Sequence, residues 1–278
     1  MEIMEIIKEA FIFPSQNLEK LAIYIVLTFA VGILFVGGII TGAVGFMNSS
    51  AYLVLTVILF ILGIVVSLII TGYQIDLLKA GIDHDELAPA FDWKNNLITG
   101  IMMLVVSIVY FIIPAIVVLI MALITNIPGQ VIDMIQKAAA SPANVTAVAG
   151  SSTPVIQGVS DAAIASLVSS LAVTALVAMV VFIIFVFLKT MGESRLANTG
   201  SLGEALNIPE AFKDITRIGA GKVIAVVLLV IVVVAVIQGI LGYIYGQVPQ
   251  ISIISVIVTP YLTFFTQRAV GLLYSDIA

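Results

Sequence analysis

The sequence predicts an all-α, polytopic membrane protein: six transmembrane helices arranged as three hairpins, each preceded by an interfacial segment. Three observations predict it. The chain of 278 residues is 62% hydrophobic and 10% charged, with a mean hydropathy of +1.25, whereas soluble domains are about one quarter charged. Six apolar stretches run without an acid, a lysine or a histidine for the ~20 residues that a helix needs to cross the hydrocarbon. Finally, the basic residues fall on one side of those stretches.

Taken in order, residues 1–20 form the first interfacial segment. Helical spacing puts Ile3, Ile7 and Ala10 on one face, with Glu2, Glu5 and Glu9 toward water. Spans 21–47 and 51–75 follow as the first hairpin, within 21–75. The first span is far longer than the 7–15 residue core of a signal peptide, so the mature chain is expected to keep its N-terminus. Residues 76–96 make a second, acidic interfacial loop. Spans 97–125 and 164–188 form the second hairpin, 97–188, around a long extracytoplasmic loop, 126–163. That loop begins with an amphipathic piece (Val131, Ile132, Ile135) and continues as small, polar, proline-containing chain expected to be mobile, with a glycan acceptor triplet at Asn144-Val145-Thr146. Residues 189–222 are the third interfacial loop, and spans 223–245 and 251–273 complete the third hairpin, 223–274. Tight turns are expected at Asn48-Ser49-Ser50 and Gln247-Val248-Pro249.

Lys8, Lys20, Lys79, Lys94, Lys189, Arg195, Lys213, Arg217, Lys222 and Arg268 all lie on the side of the termini, leaving Lys137 alone on the other. The positive-inside rule then places both termini in the cytoplasm and the chain in a cell membrane. The whole of 1–278 reads as a single membrane domain.

A short unit recurs before each odd-numbered span: Ile7-x-x-Ala10-Phe11-Ile12-Phe13, Leu87-x-x-Ala90-Phe91-Asp92-Trp93 and Leu202-x-x-Ala205-Leu206-Asn207-Ile208. Apolar and aromatic residues so placed anchor a segment at headgroup depth before the chain enters the bilayer. Gly72-Tyr73-Gln74, Leu87-x-Pro89-x-Phe91-Asp92-Trp93, Arg195-Leu196-Ala197-x-Thr199-Gly200-Ser201-Leu202-Gly203-x-Ala205 and Arg268-Ala269-x-Gly271-Leu272-Leu273-Tyr274 resemble the integral membrane family called domain of unknown function 4013. The resemblance implies a six-helix membrane protein of a prokaryote, mainly archaeal, and carries over no catalytic or binding residue.

The stretch DHDELAPAFDWKNN, residues 83–96, holds the only histidine, His84, and the only tryptophan, Trp93. His84-Asp85-Glu86-Leu87 spells a retrieval signal that is read only at a C-terminus. As a metal site it lacks a second histidine or any cysteine, and its consecutive ligands point apart. The expectation is a solvated turn where a membrane helix ends, with Phe91 and Trp93 as anchors and no metal or cofactor. Catalytic machinery is equally short of parts, so no enzyme and no catalytic residue is expected. The loop's negative balance disfavours nucleic acid.

Within the spans, Arg268 is expected to snorkel to the interface. Pro114 and Pro260, near Ser107, Tyr110, Thr259 and Tyr261, could break helices along a solute path. Gly38, Gly42 and Gly45, and Gly242 and Gly246, permit close helix packing. Two functions remain: a non-catalytic scaffold or partner-binding component whose partners are the lipid bilayer and other membrane proteins or itself, and a carrier or channel for a small neutral or amphipathic solute. A polar cavity lined by Tyr110, Gln238, Tyr261 and Gln267 would favour the second.

Overall fold

The computed structural model describes residues 1–47, 50–140 and 159–278, and no strand forms among them. The helices are α1 (Ile3–Gln16), α2 (Leu18–Met47), α3 (Ser50–Ile82), α4 (Trp93–Ile124), α5 (Ile127–Ala140), α6 (Asp161–Thr199), α7 (Leu202–Ala205), α8 (Ile208–Ile218), α9 (Ala220–Gln247) and, after a 3-10 turn at Pro249–Ile254, α10 (Ser255–Tyr274). α2, α3, α4, α6, α9 and the stretch Gln250–Tyr274 that contains α10 are long and apolar enough to cross a membrane. The chain is thus a multi-pass helical membrane protein. The turn at Asn48 and Ser49, the sequon at Asn144 and most of the polar stretch expected to be mobile lie outside the described residues.

Several helices overrun the spans expected from hydropathy. α6 continues past Leu188 to Thr199, where hydropathy predicts a loop, because no proline interrupts it and the one glycine there, Gly192, is tolerated within the helix. Gly200 adopts φ 66° and donates its N–H to the Leu196 carbonyl at 2.8 Å, the left-handed stop that a residue with a Cβ resists. Both intramembrane prolines are accommodated: α4 runs on through Pro114 and α10 through Pro260.

Contacts divide the chain into two compact units, Met1–Ile108 with Phe187–Ala278, and Val109–Val186. The second unit holds the later part of α4, α5 and the earlier part of α6. Asn126 ends α4 with φ 53°, and Gln130 on α5 donates to the Thr125 carbonyl and to Ser170 Oγ, both at 2.9 Å.

The first unit is built around α3. Along the α2–α3 hairpin the glycines meet side chains of the facing helix: a Cβ on Gly38 would come 3.1 Å from the Phe60 ring, and one on Gly63 would come 3.2 Å from the Phe35 ring. Elsewhere α3 meets backbone directly. A Cβ on Gly72 would fall 1.8 Å from the Asn96 carbonyl of α4, and one on Gly271 of α10 would fall 2.3 Å from the Leu78 carbonyl. Such close crossings of helices in lipid rest on van der Waals packing of small residues. Gly38, Gly42 and Gly45 pack as expected; a Cβ on Gly242 or Gly246 would meet no other element within 4 Å among the described residues.

At the terminal end, Phe13, Leu21, Tyr24, Ile70, Tyr73, Leu77, Ala88 and Phe264 form a buried core. Tyr24 and Phe264 meet edge to face, with centroids 5.5 Å apart. α1 turns Ile6, Ala10 and Phe13 into this region and leaves Ile3 and Ile7 half-buried. The buried face is therefore rotated from the expected Ile3-Ile7-Ala10 stripe, because α1 must fit the side of α10 as well as the membrane surface. The three recurrent segments also differ in conformation: the first is part of α1, the second is non-helical up to Trp93, and the third is α7 and the start of α8.

Candidate functional site

Polar side chains of the first unit gather at the end that holds both termini, where three knots tie its elements together. The first is Arg268. Hydropathy suggests snorkelling, but the side chain is 3% exposed. Its Nη1 donates to the Ala80 carbonyl at 2.7 Å and to the Asp85 carbonyl at 2.6 Å; its Nη2 donates to Glu9 Oε1 at 2.6 Å. The guanidinium carbon stands 4.6 Å from the centroid of the Phe13 ring. One cation thus joins α10, the end of α3 and α1. Glu9, expected in open water, is the half-buried counter-ion of this knot.

The segment 83–92 answers the question raised by its composition. Asp85 N–H donates to the Ala80 carbonyl at 2.8 Å and His84 N–H to the Gly81 carbonyl at 3.4 Å. These are the paired bonds of a Schellman helix end. His84 takes the left-handed position with φ 57°, and residues 83–87 are exposed. It is a helix terminator facing solvent.

Asn17 holds the loop beyond. Its Nδ2 donates to the Phe13 carbonyl at 3.0 Å and to the Glu86 carbonyl at 3.3 Å, while its Oδ1 accepts the Ala88 N–H at 2.7 Å. Tyr73 donates to the Pro89 carbonyl at 2.9 Å and stacks on Phe91 at 3.7 Å. Phe91 is accordingly drawn inward, leaving Trp93 (53% exposed) and Leu87 (73%) as the outward apolar groups of this loop.

The third knot is Asp214 on α8, 1% exposed. Its Oδ2 accepts from Arg195 Nη1 at 2.9 Å and from the Tyr274 hydroxyl at 3.1 Å, and its Oδ1 accepts from Arg217 Nη1 at 2.9 Å. Arg195 also holds Glu204. α6, α8 and α10 are fastened at one carboxylate, and α7 is joined to it through Arg195. On the outer side of α8 the Lys213 ammonium, hydrogen-bonded to Glu210, holds that exposed carboxyl below the usual carboxylate range, with Arg217 and Arg195 contributing against a desolvation penalty. Phe212 projects outward, 59% exposed.

Two openings accompany this framework. A cleft of about 470 Å³ lies between α1 and the 83–87 turn, lined by Glu9, Phe13, Gln16, His84, Glu86, Leu87 and Arg268. A notch of about 250 Å³ lies within the spans, where Gln74, Gln238, Thr259, Thr263, Thr266 and Gln267 meet Val234 and Leu262. Gln238 and Gln267 thus come together, as a solute path would require. Tyr110 and Tyr261 do not line the notch: Tyr110 is fully buried, and Tyr261 donates to the Phe11 carbonyl at 2.7 Å. The fastening roles of Asn17, Asp214 and Glu9 escape sequence reading because their partners are distant in the chain.

The model of the family described as protein of unknown function DUF4013 matches residues 55–246, more than two thirds of the chain, from within α3 to the end of α9. The chain belongs to that family. No curated protein and no solved structure matches it.

Proposed function

We propose that this DUF4013 protein is a non-catalytic component of the cell membrane that holds a partner protein at its terminal end, with both termini in the cytoplasm. One observation carries the reading: the buried polar side chains at that end, Arg268, Asn17 and Asp214, are engaged in fastening elements together. Groups fixed by several short hydrogen bonds make a rigid platform. Outward it presents the exposed 83–87 turn, which borders the cleft at Glu9 and Glu86, and the exposed side chains of Trp93 and Phe212. Partner surfaces commonly combine such exposed large apolar groups with a polar rim. The basic side chains flanking the spans support the cytoplasmic orientation.

A photo-crosslinking residue at Leu87 or Phe212, followed by purification in native lipid, tests this. The reading predicts a discrete adduct from both positions and none from Ile58, a lipid-facing control. A second reading has its own observation, the intramembrane notch at Gln238 and Gln267: a carrier for a small neutral solute. Solute uptake into proteoliposomes that is lost in Gln238→Leu and Gln267→Leu, without adducts at Leu87 or Phe212, would establish the carrier in place of the platform.

A further inference from the structure

A third opening differs from the fastened region in what its polar groups are doing. It has a volume of about 300 Å³ and lies where the end of α3, the start of α4 and the end of α6 meet. Lys79, Asn95, Thr99 and Asn198 stand around it, and among the described residues none of these side chains has a hydrogen bond or ion pair. Of the two other polar groups, the Thr199 hydroxyl is engaged by the Arg195 carbonyl and the Ser201 N–H, while the half-buried Asp76 carboxylate accepts from Asn96 through Oδ2 alone. Behind it the Asn96 Oδ1 is fully buried without a partner. Arg268, Asn17 and Asp214, a few turns away in the same unit, have their polar groups almost wholly engaged.

Polarity is layered in this opening. Lys79 and Asn198 stand toward the ends of their helices, Asp76 and Thr99 one turn deeper, and Ile75, Ile98, Met102 and Leu196 form apolar wall and floor. Asp76 and Lys79 belong to the last two turns of α3, which ends at Ile82, so the polar layer lies at the boundary of the hydrocarbon. One ammonium, two amides and a hydroxyl offer donors matched to a phosphodiester. The free lone pairs of Asp76 want a donor next to that phosphate.

We propose that this pocket seats one phospholipid whose headgroup bears a hydrogen-bond donor, an ammonium or hydroxyl, beyond its phosphate. Lys79, Asn95 and Asn198 hold the phosphate, Asp76 takes the donor, and the acyl chains leave past Ile98 and Met102. The proposal rests on the membrane embedding of the chain and is independent of whether the terminal end binds a partner.

Native mass spectrometry of the delipidated protein in detergent, titrated with phosphatidylethanolamine, phosphatidylglycerol and phosphatidylcholine, tests it. The first two carry a donor; the third has the same phosphate and none. Expected is a single tight site for the first two, with phosphatidylcholine weaker by roughly tenfold. Lys79→Met lowers phosphatidylethanolamine and phosphatidylglycerol binding by a similar factor, and Asp76→Asn removes the preference over phosphatidylcholine. Asn198→Asp, at an exposed position that leaves the packing intact, sets a second negative charge beside the phosphate and reproduces the loss at an unchanged melting temperature. Binding of all three lipids within twofold, unaffected by Lys79→Met and Asn198→Asp, would overturn the site as no more than ordinary lipid coating. Equal competition by water-soluble glycerophosphoethanolamine would overturn the lipid assignment in favour of a free phosphate ester.

Discussion

Replacing Arg268 by alanine removes the donor of three short bonds and opens a space beside Phe13. Hydrogen bonds to a charged group contribute about 1.5–3 kcal/mol each, and breaking a buried pair typically costs about 3–5 kcal/mol. Two features reduce the total. The Glu9 side chain is 39% exposed and can rehydrate, and the Ala80 carbonyl keeps the Asp85 N–H. The expected loss is about 3 kcal/mol, a melting temperature lower by roughly 6–12 °C for a chain of this size. Arg268→Lys keeps the charge but cannot span Ala80, Asp85 and Glu9 with one ammonium, so about half the loss remains. Glu9→Gln keeps an acceptor for Nη2 but takes the counter-ion from a buried guanidinium, so it costs roughly 1–2 kcal/mol, less than Arg268→Ala. Thermal unfolding of the purified variants in one detergent measures all three. A melting point for Arg268→Ala within about 1 °C of the parent protein, or no lower than that of Glu9→Gln, would refute the clamp and restore the snorkelling picture.

Other consequences follow from the same geometry. Gly271→Ala sets a methyl 2.3 Å from the Leu78 carbonyl and must push α3 and α10 apart, costing at least the ~1–3 kcal/mol of ordinary overpacking; Gly242→Ala, with open space around it, leaves the unfolding temperature unchanged. Asp214→Asn withdraws the charge shared by Arg195, Arg217 and Tyr274 and destabilises by about 2–4 kcal/mol, more than Tyr274→Phe, which removes a single bond. The same thermal melts rank them. His84→Gly relieves a left-handed residue at an exposed helix end and raises stability by up to about 1 kcal/mol; a large loss would show that the imidazole does more than terminate α3.

The spans were readable because lipid imposes one simple demand, about twenty apolar residues with all backbone bonds internal, and a local window detects it. The solvated turn at His84 was readable for a similar reason, since charge cannot continue a membrane helix cheaply. What escaped depends on partners far apart in the chain. Arg268 reaches carbonyls and a carboxylate on α3, the turn and α1, and no local pattern distinguishes that from a side chain turning to water. The phase of α1 is not legible locally because Ile3-Ile7-Ala10 and Ile6-Ala10-Phe13 are both acceptable stripes, and only the surface of α10 selects the second. Continuation of α6 to Thr199 was hidden because hydropathy marks where lipid ends, whereas helix ends are set by breakers, here Gly200. Likewise, Gly38 and Gly242 are indistinguishable as motifs until a facing helix occupies one and leaves the other open.

The absence of cysteine from the chain permits a direct test of how it sits in the membrane. Single cysteines at Leu87, Phe212, Lys137 and Ile58, treated with a membrane-impermeant maleimide in intact and permeabilised cells, give four independent readings. Six crossings with cytoplasmic termini predict labelling of Lys137→Cys in intact cells, of Leu87→Cys and Phe212→Cys only after permeabilisation, and of Ile58→Cys in neither. Labelling of Leu87→Cys and Lys137→Cys from the same side, or ready labelling of Ile58→Cys, would contradict it.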